Sequence, residues 1–96
     1  ALVSSTLLCE ALIQQGELDR ASPRMAELRD TMQSQPDPLL RGLYQRAHAR
    51  LMLASGDRER AAASLTQATE LFQSAGDGGV VYLKSLQTLR DQLEAH

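Results

Sequence analysis

Apolar side chains recur along this chain at intervals of three, four and seven, as at Leu8 and Leu12 and again at Met25, Leu28 and Met32. No stretch alternates with the period of two that a half-buried strand requires, so the pattern predicts helices alone. Polar and glycine-containing breaks divide it into five helices, at about 2–15, 19–34, 38–55, 58–75 and 79–95. Gly16 and Gly56 stand where two of these helices end, because glycine tolerates the left-handed conformation that follows a helix; Asp19 and Asp57 are placed to cap the helices that come next. Asp37-Pro38 has the order of a capping acid followed by a first-turn proline, and Gly76-Asp77-Gly78-Gly79 opens the last helix more loosely before Val80.

The segments are written twice. "GELDRA" at 16–21 returns as "GDRERA" at 56–61, and a shift of forty residues also pairs Gln33 with Gln73, Ser34 with Ser74, Asp37 with Asp77, Leu43 with Leu83, Arg50 with Arg90 and Leu53 with Leu93. A fixed period of this size is the mark of stacked helical units, none of which buries its apolar face alone. The expected fold is therefore all-α, a single domain over 1–96 built from two helix-turn-helix repeats and a C-terminal capping helix. A plain five-helix bundle is the alternative.

Leu8-Cys9, Leu12, Gly16, Ala21, Met25 and Leu28 in the first unit, and His48-Ala49, Met52, Gly56, Ala61, Leu65 and Ala68 in the second, resemble the tetratricopeptide repeat. In that family a large and then a small residue sit mid-way along the first helix, glycine makes the turn and alanine opens the second helix. The resemblance implies a right-handed superhelix of antiparallel helix pairs that binds a protein or peptide along its concave side. The family's repeat is about 34 residues long, and the longer period here is similar to that of bacterial multi-domain regulators such as the large ATP-binding transcription activators of the maltose-regulator type. A regulatory segment of such a protein is the function this implies. A small-ligand sensing domain and a homo-oligomerisation module are the alternatives.

Composition narrows the chemistry. A net charge of −2 and 3% aromatic residues argue against direct nucleic-acid binding, since they supply neither the attraction to phosphates nor the stacking surfaces it needs. No apolar run is long enough to span a membrane. The single Cys9 makes no internal disulfide and fits a reducing, cytoplasmic setting. His48 and His96 are the only imidazoles, and no carboxylate or cysteine lies one helical turn from His48. Asp57-Arg58-Glu59 and the 76–79 glycine stretch lack the acidic alternation of a calcium loop and the Lys-Ser/Thr ending of a phosphate loop. The expectation is a non-enzyme without metal or cofactor.

Surface is what remains for function. On the helix 38–55, Leu43, Arg46, Arg50 and Leu53 share one stripe, opposite Tyr44, Ala47, His48 and Leu51, which read as core. One repeat away the stripe continues as Thr6, Glu10 and Ile13, and on the other side as Leu86, Arg90 and Leu93. Glu10, Ile13, Leu43, Arg46, Arg50, Leu53 and Arg90 form the candidate concave interaction surface, with the arginines suited to a carboxylate on a peptide. The competing reading pairs Arg50 with Glu10 across adjacent helices and leaves the stripe solvated.

The two ends differ. In the last helix Tyr82, Leu83, Leu86, Leu89 and Leu93 form one arc and Lys84, Gln87, Thr88, Asp91, Gln92 and Glu94 the other, as in a terminal unit with a polar outer face. The first helix carries Leu2, Val3, Leu7, Leu8, Cys9, Ala11, Leu12 and Ile13 around nearly its whole circumference. Together with the start at Ala1, this reads as a piece of a longer chain. Leu2, Val3, Leu7 and Ile13 are the candidate self-association surface, through which an isolated fragment is expected to dimerise.

Overall fold

A computed structural model describes residues 2–95, and all of its regular structure is α-helical. The helices are α1 (Leu2–Gln14), α2 (Leu18–Gln33), α3 (Pro38–Ala54), α4 (Arg58–Ser74) and α5 (Asp77–Glu94). The repeated phrase becomes the same joint twice. Gly16 and Gly56 have φ of 81° and 86°, in the left-handed region where a Cβ is strained. At the first joint the Gly16 amide donates to Ile13 and the Glu17 amide to Leu12; forty residues on, Gly56 donates to Leu53 and Asp57 to Met52. This is the paired hydrogen bonding of a Schellman turn, which satisfies the last carbonyls of a helix and reverses the chain.

Capping differs between the copies. The Asp57 side chain accepts from the Arg60 amide at 3.1 Å, and Asp37 accepts from Leu39 at 3.0 Å ahead of Pro38. Asp19 does not cap: α2 begins one residue earlier, with Glu17 in the cap position, so Asp19 falls in the first turn. There its charge still complements the helix dipole. Helix α5 likewise starts before its predicted residue 79, because Gly76 (φ 70°) turns the chain at once and lets Asp77 be helical.

Packing follows a fixed rule. α1 packs on α2 and α3; α3 packs on α2, α4 and α5; α4 packs on α5; the backbones of α1 and α5 do not approach closely, nor do those of α2 and α4. The result is a helical repeat-like stack, with α1, α3 and α5 side by side in an inner layer and α2 and α4 in an outer one, and not a closed five-helix bundle. The 19 Å short dimension is that of two helix layers. Helix α3 is the shared wall of two cores. Tyr44, Ala47 and Leu51 join Cys9, Leu12, Ile13, Ala21, Met25 and Met32 on one side, while Leu43 and Ala49 join Leu65, Ala68, Phe72, Leu86 and Leu89 on the other.

Short side chains let these helices approach. Ala21, Ala47 and Ala68 are wholly buried, and Gly42 of α3 faces the Phe72 ring so closely that a Cβ there would lie 2.7 Å from it. Gly79 of α5 lies against the Phe72 backbone. Phe72 is thus enclosed by two glycines and stacks on Tyr82 with ring centroids 5.3 Å apart. Cys9 is buried in the first core, and burial pushes its thiol above its ordinary pKa, so it packs as a small apolar residue.

Candidate functional site

The predicted stripe separates into a buried ion network and a groove beside it. Glu10 of α1 accepts from Arg46 Nε at 2.8 Å and from Arg46 Nη2 at 2.7 Å, and its Oε2 also accepts from Arg50 Nε at 3.0 Å. Arg46 continues to α5, donating from Nη1 to Ser85 Oγ at 3.0 Å with its guanidinium 5.4 Å from the centre of the Tyr82 ring. One carboxylate and one guanidinium therefore tie all three inner helices together. Only 6% of Glu10 and 8% of Arg46 is exposed, so both are structural elements of the inner layer and neither is available as a surface contact.

Leu43 is also withdrawn, since it packs into the second core. Arg90 turns away from Arg50 and donates to Thr69 Oγ1 of α4 at 2.9 Å. Of the seven candidates, Ile13, Arg50 and Leu53 line an open groove of about 580 Å³, completed by Gln14, Ala54, Leu89 and Gln92. The groove crosses the C-terminal halves of α1, α3 and α5. Ile13 with Leu53, and Gln14 with Ala54, are forty-residue counterparts, so successive repeats furnish its wall from equivalent positions.

The electrostatics of this face are unbalanced. Glu10 is shared by two arginines, which leaves one positive charge uncompensated in the network. Arg50, with 19% of its side chain exposed, uses only Nε within the network, and among the described residues its Nη1 and Nη2 make no hydrogen bond. The groove thus offers a guanidinium edge beside the part-exposed aliphatic side chain of Leu53, over the buried Leu89, with Gln14 and Gln92 also lining it.

On the outer side, His48 Nδ1 lies 2.6 Å from Ser64 Oγ, a pair the sequence did not show because it joins α3 to α4. Burial, reinforced by Arg60 and partly offset by Asp57, lowers the His48 pKa from its ordinary value of 6.5, so the imidazole is neutral at pH 7. A hydroxyl against an imidazole is the pair from which nucleophilic catalysis starts, but among the described residues no carboxylate hydrogen-bonds this ring to orient it. Among those residues there is also no group of three or more metal-ligating side chains, and no helix is long and apolar enough to cross a membrane.

The self-association candidates divide as well. Val3 and Leu7 are exposed, whereas Leu2 packs against the first core and Ile13 is buried within it; Leu8, 47% exposed, completes the stripe in their place. At the other end the outer face of α5 is polar as expected, except for the exposed Val80 and Val81 at its start. No protein-family model matches the chain, and no curated protein or solved structure is detectably similar to it.

Proposed function

We propose that this chain is a non-catalytic protein-protein interaction scaffold of the tetratricopeptide-like kind, and that the inner groove holds a segment of its partner. The groove across α1, α3 and α5 carries this reading. A segment seated there places an aliphatic side chain on Leu53 and a carboxylate against the free edge of Arg50, while Gln14 and Gln92 supply donors and acceptors to its backbone. The buried Glu10–Arg46 network holds the three helices in register, so the surface is formed before binding and loses little freedom on it. In this reading the chain works in the cytoplasm as a regulatory segment of a larger bacterial signalling or transcription regulator, recognising a separate protein or another domain of its own parent.

The test is a comparison of two substitutions in the intact chain, one at the half-buried Leu53 and one at the exposed Val81, with each variant's melting temperature checked first. Leu53→Asp is expected to abolish retention of a partner captured by the wild type, whereas Val81→Asp, outside the groove, leaves it unchanged. Equal retention by the two variants would remove the groove as the recognition surface. A second reading, self-association through α1, is favoured by the exposed Val3, Leu7 and Leu8. Forty residues on, the counterparts of Val3 and Leu7, Leu43 and Ala47, are buried, and that of Leu8 is the half-buried His48.

A further inference from the structure

The outer layer contains an opening that the inner groove does not explain. Because α2 and α4 do not pack on each other, the space between them over α3 forms a cleft of about 220 Å³. Its floor holds Met32, Tyr44, His48 and Ser64, and its walls hold Arg29 and Gln33 of α2, Arg41 and Gln45 of α3 and Gln67 of α4. No Asp or Glu lines it, although the whole chain has 12 acidic residues against 10 basic ones. The cleft is a local reversal of the protein's charge.

Both guanidiniums are available. The Arg41 side chain makes no ion pair or hydrogen bond among the described residues. Arg29 has only an exposed contact to Asp30 at 3.8 Å, a geometry of little energetic weight. The floor is fixed by comparison. Tyr44 donates its hydroxyl to the Met25 carbonyl and stacks against His48, and Ser64 holds Nδ1 of the same ring. The Ser64 hydroxyl hydrogen bonds to no other group among the described residues, which favours its donation to Nδ1 and leaves the proton of neutral His48 on Nε2. Nε2 itself has no partner among those residues and is not a sealed polar atom, so it remains open to a ligand or to water.

We propose that this outer cleft is a binding site for a small oxyanion, a phosphate or carboxylate group carried on a compact polar molecule. Two arginines supply the charge, and Gln33, Gln45, Gln67 and His48 supply uncharged polar groups around them. The size limits the ligand: the cleft is smaller than the roughly 300–1,000 Å³ of sites for drug-sized molecules. It lies on the opposite layer from the inner groove, so its occupant and a bound partner segment do not compete for space. Occupancy bridges α2 to α4, the two outer helices that otherwise do not meet.

The experiment is an NMR titration of the intact chain with inorganic phosphate and, separately, with succinate, each compared with sodium chloride at equal ionic strength. Amide signals of α2, α3 and α4 around the cleft and the His48 ring signals are expected to move to saturation, while amide signals of α1 follow ionic strength alone. Binding is also expected to raise the His48 pKa, since an anion beside the ring adds to Asp57 in opposing the lowering by burial and Arg60. Arg41→Gln and Arg29→Gln are each expected to weaken binding by about tenfold, the loss of one charge-assisted contact, while Arg24→Gln outside the cleft does not. Saturation by phosphate alone or by succinate alone identifies the headgroup. A response to both that stays linear and matches chloride, or one equally unaffected by Arg41→Gln and Arg29→Gln, would overturn the proposal.

Discussion

Glu10 and Arg46 meet through two parallel hydrogen bonds, 2.7 and 2.8 Å long, between helices thirty-six residues apart in the chain. The bidentate geometry is matched to the planar guanidinium, and the contact is almost sealed from water. Replacing Glu10 by Gln leaves two arginines without their counter-charge, and a loss of about 3–5 kcal/mol is expected, as for breaking a buried pair from one side. Arg46→Ala should cost more than Arg50→Ala, because Arg46 makes two bonds to Glu10 and a third to Ser85, whereas Arg50 makes one bond to Glu10. Urea denaturation of a double-mutant cycle checks this ranking: the Glu10–Arg46 coupling is expected to exceed the Glu10–Arg50 coupling.

The glycines around Phe72 separate steric need from simple flexibility. At Gly42 a Cβ presses on a ring that is fully buried and stacked on Tyr82, so Gly42→Ala should destabilise by about 1–3 kcal/mol. Gly79→Ala should cost at least as much, since the new carbon overlaps the Phe72 carbonyl and backbone cannot rotate away. Gly78 faces open space in the same turn, and Gly78→Ala is expected to stabilise by about 0.4–1 kcal/mol through the unfolded state. Opposite signs at adjacent positions 78 and 79 are the measurable signature in thermal melts.

His48 predicts a stability that depends on pH. Its folded-state pKa lies below the ordinary 6.5, chiefly through burial, so between the two values the unfolded chain binds the extra proton. Stability therefore rises as pH increases through that window, levels above 6.5, and is lost as pH falls from 6.5 toward the lowered value. His48→Gln should flatten this dependence. Denaturant midpoints measured from about pH 5 to about pH 8, the range in which histidine titrates, test the sign directly; an inverse slope would show that the folded protein stabilises the imidazolium.

Much of the fold was legible because it is local and repeated. Gly16 and Gly56 marked the turns and Asp37 and Asp57 marked two caps from spacing in one sequence, and the resemblance to the tetratricopeptide pattern marked the small residues Cys9, Ala21, Ala49 and Ala61 as close approaches. The site was less legible. A three-four stripe placed Arg46 and Arg50 on one face of α3, but spacing does not say what covers each end of that face: Tyr82 and Ser85, from the next inner helix, cover Arg46, and the groove leaves Arg50 part-open. The outer cleft had no sequence signal at all, since α2, α3 and α4 contribute residues that are scattered in the chain and meet only because the outer helices stay apart.

Helix α1 carries the remaining apolar surface. Val3, Leu7 and Leu8 are 41–47% exposed along adjoining positions of one face, with Ala11 partly exposed after them. In α3 the corresponding positions hold Leu43, Ala47 and Leu51, all buried, and the half-buried His48. The face that α3 covers with its neighbours is thus left in water on α1, at a cost of roughly 1.5–3 kcal/mol for each large side chain that full burial would recover. Self-association through this face should appear in sedimentation as a mass that rises with concentration, and Leu7→Ser with Leu8→Ser should return it to that of one chain without lowering the melting temperature. Val80→Ser with Val81→Ser is the control, because those residues are more exposed still but lie at the opposite end of the stack. Loss of association in the control alone would move the contact to α5, and a mass that stays monomeric at every concentration would remove self-association as a role for α1.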